Sequence, residues 1–74
     1  MSRLIRMDQT GHTTLAQWRS DDPIAIQAAV ATFRAELEQG YYAVASDDKG
    51  RAEHVRELPL DAPLVILRRP IAGG

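Results

Sequence analysis

Residues 20–40 read SDDPIAIQAAVATFRAELEQG and carry both ends of one helix. Ser20, Asp21 and Asp22 have short oxygen-bearing side chains that suit the free N–H groups of a first turn. Pro23 at the first helical position gives up a donor that the helix does not use. Ile26, Ala29, Val30, Phe33 and Leu37 recur at helical spacing and make one apolar stripe. Gly40 supplies the stop, because it takes the left-handed backbone that ends a helix at no steric cost. The spacing predicts about four turns, with one face buried and the other in water.

The segments on either side read as strands. Upstream, Leu4 to Met7 and Thr13 to Trp18 hold the β-branched, aliphatic and aromatic residues of two half-buried strands, and Thr10-Gly11 supplies the turn between them. Two inward faces compete in the first strand, Leu4 with Arg6 or Ile5 with Met7, and the pattern leaves the register open. Downstream, YYAVAS (41–46) is a strand, DDKG (47–50) a turn, and RAEHVREL (51–58) a polar strand suited to a sheet edge. PLDAP (59–63) is an irregular link. LVILRR (64–69) opens with four consecutive aliphatic residues, which suits a central strand. Pro70 cannot donate to a ladder, so the sheet is expected to stop there.

A single amphipathic helix is covered most simply by one face of a small sheet, which makes the expected class α+β with the helix packed across a mixed sheet. The chain of 74 residues is one domain at most, and a domain of that size buries only about 60% of its unfolded surface. With 45% hydrophobic and 26% charged residues it has an ordinary globular composition. It has no cysteine, which excludes disulfides, thiolate metal ligands and a catalytic thiol. Net charge is -1, and eight of the nine cations are arginines spread along the chain, so nucleic acid is not an expected partner. No apolar run approaches the length of a membrane span, and MSRLIRMDQ lacks the apolar core of a signal peptide. A cytoplasmic protein with no membrane partner is the expectation.

The order strand, strand, helix, strand, strand, strand resembles the β-grasp family of ubiquitin and the prokaryotic sulfur carriers. Three stretches carry the likeness. TGHT (10–13) is similar to the Thr-Gly-Lys-Thr turn of ubiquitin's first hairpin, and the capped helix stands where the family has its own. LVILRRPIAGG (64–74) is similar to ubiquitin's Leu-Val-Leu-Arg-Leu-Arg-Gly-Gly ending and to the Pro-Pro-Val-Ala-Gly-Gly ending of molybdopterin synthase small subunits. Where those carriers have Asp-Gly-Asp-Glu-Val, this chain has Asp61-Ala62-Pro63-Leu64-Val65. The resemblance implies a ubiquitin-like β-grasp roll in ββαβββ order over residues 1–70, with 71–74 as a flexible di-glycine tail.

It also implies a chemistry. In such proteins a separate activating enzyme uses ATP to adenylate the C-terminal glycine, and the acyl-adenylate then reacts with a sulfide or an amine. Gly73 and Gly74 would be the reactive arm, since glycine has no Cβ to obstruct a narrow channel. Pro70, Ile71 and Ala72 would keep the arm out of the sheet, and Arg68 with Arg69 could steer it toward an acidic entrance. The protein would then be a sulfur carrier with no cofactor of its own and no catalytic residue. Its partners would be the adenylating enzyme and a synthase subunit or conjugation target. Two alternatives stay open: a modifier joined to other proteins through Gly74, and a binding module whose tail has no chemistry, since a terminal Gly-Gly also reads as a frayed end. Lys49, the only lysine, limits lysine-linked polymers to one site.

A sheet covered on one side leaves the other side open. Within Leu64, Val65, Ile66 and Leu67, alternation sends two side chains to the core and two to that open face, where Tyr41 and Tyr42 could join them as a partner patch. His12 and His54 read as surface residues rather than a metal pair, and Asp47 and Asp48 as turn residues rather than a calcium loop.

Overall fold

The computed structural model describes residues 1–9, 11–47 and 49–69. Thr10, Asp48 and the expected sheet boundary at Pro70, with the tail beyond it, lie outside the described residues. Helix α1 spans Pro23–Glu38, and of the three candidate caps Asp22 is the one used. Its carboxylate accepts the Ala25 N–H at 3.1 Å while its carbonyl accepts the Ile26 N–H at 3.0 Å. At the other end Gly40 has φ 98°. That turn brings the Gly40 N–H to the Leu37 carbonyl at 3.1 Å and the Tyr41 N–H to the Glu36 carbonyl at 3.2 Å, closing the last turn.

Five strands accompany the helix among the described residues: β1 Ser2–Asp8, β2 Gly11–Trp18, β3 Tyr42–Ser46, β4 Ala52–Val55 and β5 Leu64–Arg68. They form one mixed sheet in the order β2-β1-β5-β3-β4. β1 and β5 run parallel in register Leu4↔Val65 and Arg6↔Leu67, and the other neighbours are antiparallel. The aliphatic strand β5 therefore has a partner on each side. The polar strand β4 lies at an edge, but it is shorter than the sequence pattern. The chain leaves the ladder after Val55, and Leu58, nominally in an irregular stretch, enters the core.

The helix covers one face of this sheet. Leu4, Trp18, Ala29, Phe33, Ala43, Leu58, Val65 and Leu67 form the buried cluster beneath it. Ala29 and Phe33, four residues apart, are 0% and 1% exposed and mark the centre of the apolar stripe. Val30 sits about 100° round the helix from Ala29 and is only half-buried, short of the full burial its place in the stripe suggests. A bulge settles the competing faces of β1. Leu4 pairs with Ala16 but Ile5 pairs with Thr14, so Leu15 is the extra residue of β2. Leu15 and Ala16 then both pack on the core, Leu4 is fully buried beneath the helix, and Ile5 belongs to the opposite face.

The link from 59 to 63 is tied down at two points. The Trp18 indole N–H donates to the Leu60 carbonyl at 3.1 Å, and the Arg3 N–H donates to the Pro63 carbonyl at 3.1 Å. These bonds bring the chain back to the middle of the sheet and aim β5 alongside β1. No described helix is long and apolar enough to cross a membrane.

Candidate functional site

Alternation along β5 separates its residues cleanly. Val65 and Leu67 are 0% exposed and belong to the core, so they leave the expected partner patch. Leu64 and Ile66, half-buried, are the pair on the uncovered face. Tyr41 also leaves that patch: it precedes β3 in the phase of Ala43 and packs against the core from the helix side. Tyr42 is retained, since it pairs with Arg68 on the open face. The ladders set Ile5, Ile66 and Val44 side by side across β1, β5 and β3. This row is the apolar centre of the open face, with Ile5 itself buried among its neighbours at 8% exposure, and the exposed Met7 extends it.

Cations and aromatic rings surround that centre. Arg3 and Arg68 lie in register with Leu64 and Tyr42 respectively. His54 pairs with Val44 across the ladder and stacks on the Tyr42 ring, with centroids 5.2 Å apart and planes within 4°. His12 lies across from Met7. Among the described strand positions, no aspartate or glutamate shares this face, because Glu53 pairs with Ala45 and Asp8 follows the phase of Arg6. The face is an apolar strip with a positive rim. Both histidines are exposed, as their place in the sequence suggests. The described residues hold no group of three side chains that could bind a metal ion.

Arg68, the last residue of β5, and Arg69 after it have different surroundings. Arg68 lies on the open face, where its guanidinium approaches the Met7 sulfur at 3.8 Å. Arg69, one residue on, lies on the helix side with its guanidinium carbon 5.6 Å from the centroid of the Tyr41 ring. Arg6 approaches the same ring at 5.8 Å and bonds Glu36 of the helix at 3.1 Å. Arg68 and Arg69 thus sit in two separate settings, one beside Met7 and one on Tyr41. The sequence pattern missed this cluster because Arg6 and Glu36 are 30 positions apart.

Gly73 and Gly74, with Pro70, Ile71 and Ala72, lie outside the described residues. A concavity lies between the β3–β4 loop and the 59–63 link, an open cleft of about 860 Å³ with Asp47, Arg51, Glu53 and Asp61 among its walls. Asp47 is committed to its own turn: its carboxylate accepts the Lys49 and Arg51 N–H groups at 2.9 and 2.8 Å. Among the described residues that line the cleft, Ser46 is the one hydroxyl. Compared with family models, curated proteins and solved structures, the chain has no significant match to any of them.

Proposed function

We propose that this chain is a β-grasp carrier protein whose Gly74 carboxylate is activated by a separate ATP-dependent enzyme and converted to a thiocarboxylate. The observation that carries the reading is where the run PIAGG stands in the sequence: one residue after β5, the central strand, which runs parallel to β1 in a sheet crossed by one helix. The strand order β2-β1-β5-β3-β4 supports β-grasp as the fold. The apolar face with its arginine rim supports a protein partner of acidic character, as an activating enzyme would have to be. In the first step a carboxylate oxygen of Gly74 attacks the α-phosphorus of ATP and pyrophosphate leaves. Hydrosulfide then attacks the carbonyl carbon, AMP leaves, and a proton is released.

Intact mass measurement on the protein from its own host tests this in two stages. Gly74 must be the last residue of the mature chain, and a fraction must be about 16 mass units heavier, sulfur having replaced oxygen. Removing Gly73 and Gly74 should abolish pyrophosphate exchange by the host's adenylating enzyme and leave the melting temperature almost unchanged. A chain that continues past Gly74, or one never adenylated, overturns the proposal. An isopeptide-linked product would assign the same activated glycine to protein modification. Partner binding that survives the deletion, with no adenylation, would make the open face a binding module in its own right.

A further inference from the structure

We propose that Tyr41 is a positioning residue that holds Arg69 and thereby fixes the backbone one residue beyond the last ladder pair of β5. The last ladder pair of β5 is Tyr42↔Arg68, so Arg69 has no strand partner to order it. What it has is the Tyr41 ring, 5.6 Å from its guanidinium carbon. A guanidinium at that distance is attracted by the ring's negative face and stacks on it well because it is planar and weakly hydrated.

The ring is itself held. Tyr41 follows Gly40, and its N–H is bonded to the Glu36 carbonyl in the turn that ends the helix. The ring also meets Arg6, which is fastened to Glu36 at 3.1 Å with the two side chains 32% and 15% exposed. The Nε of Arg6 is buried without a hydrogen-bond partner, a cost that a free side chain would relieve by turning outward. Arg6 stays because Glu36 and Tyr41 hold it. Glu36, Arg6 and Tyr41 therefore form a buttress built from the helix end, β1 and the start of β3. Arg69 docks on it, one residue beyond the last ladder pair.

The consequence for activation rests on the carrier reading. An activating enzyme that meets residue 69 already held has one residue fewer to order on binding, so the clamp favours productive entry. Arg68, on the other face, contributes to docking instead. The two arginines then divide recognition and positioning between them.

Backbone ¹⁵N relaxation of the full chain tests the clamp without any enzyme. In Tyr41→Leu and in Arg69→Ala the order parameter of residue 69 should fall below about 0.6, while that of Arg68, held in the ladder, stays near 0.85. Tyr41→Phe keeps the ring and should restore the wild-type value. Arg69→Ala changes an exposed side chain and keeps the test valid if Tyr41→Leu fails to fold. Pyrophosphate exchange is the second readout. Tyr41→Leu and Arg69→Ala should lower kcat/KM roughly two- to fivefold, the population ratio an exposed cation–π contact supports, and Tyr41→Phe should recover it. An unchanged order parameter at residue 69 in both variants overturns the clamp. A lost clamp with unchanged exchange kinetics overturns its positioning role. If the wild type is not adenylated, the carrier reading fails while relaxation still decides whether Tyr41 holds Arg69.

Discussion

Ile66 and Leu67 are adjacent, of equal size and in the same strand, yet truncating them to alanine should have very different costs. Each loses three carbons. Leu67 is 0% exposed, so the transfer loss is about 2.4 kcal/mol at ~0.8 kcal/mol per buried carbon. A cavity left beneath the helix adds on the order of 1 kcal/mol after partial collapse, which puts Leu67→Ala at about 3–4 kcal/mol. Ile66 is half-buried on a face that nothing covers, so its loss is about 1 kcal/mol with no cavity. Ile is β-branched and Leu is not, so the strand-propensity cost of alanine is larger at Ile66 by about a few tenths of a kcal/mol, which narrows the difference without removing it. A domain of 74 residues has about 4–11 kcal/mol in total, so Leu67→Ala removes a large share and should lower the melting temperature by roughly 15–25 °C. Trp18, the only tryptophan and 2% exposed, reports the transition by its fluorescence in urea. Both variants should unfold with the wild-type slope, so that the midpoint alone moves. Equal costs at the two positions would refute the assignment of faces and with it the open apolar strip.

Phe33→Ala empties the centre of the helix–sheet contact and should cost about 3–5 kcal/mol, read from the same urea titration. Asp22→Ala removes the carboxylate that caps the Ala25 N–H and should cost about 1 kcal/mol, or roughly 4–8 °C in Tm by calorimetry, whereas Asp21→Ala should cost much less.

The start and stop of α1 were legible because capping is local: Asp22 reaches an N–H three residues on, and Gly40 turns the chain at its own φ. The class was legible too, since one amphipathic helix and several alternating segments have few ways to share a core. The central position of β5 followed from its unbroken aliphatic run. Faces were a different matter. Period-two alternation says that Leu64 and Ile66 oppose Val65 and Leu67, but either pair satisfies it, and the same holds for Arg68 against Arg69. The choice is made where β5 lies beside β1 with Val65 against Leu4, a pairing of residues some sixty positions apart.

The β2 bulge is equally non-local, because an extra Leu15 has meaning only against the strand it faces. Leu58 looked like part of a polar strand and became core when the chain left the ladder to close the end of the helix–sheet contact. The cluster of Arg6, Glu36, Tyr41 and Arg69 draws on three strands or strand ends and one helix terminus. Local backbone chemistry, acting over three or four residues, is written in the sequence pattern. Which side chains share a face or a ring depends on register between distant segments, and register is decided only when the sheet closes under the helix.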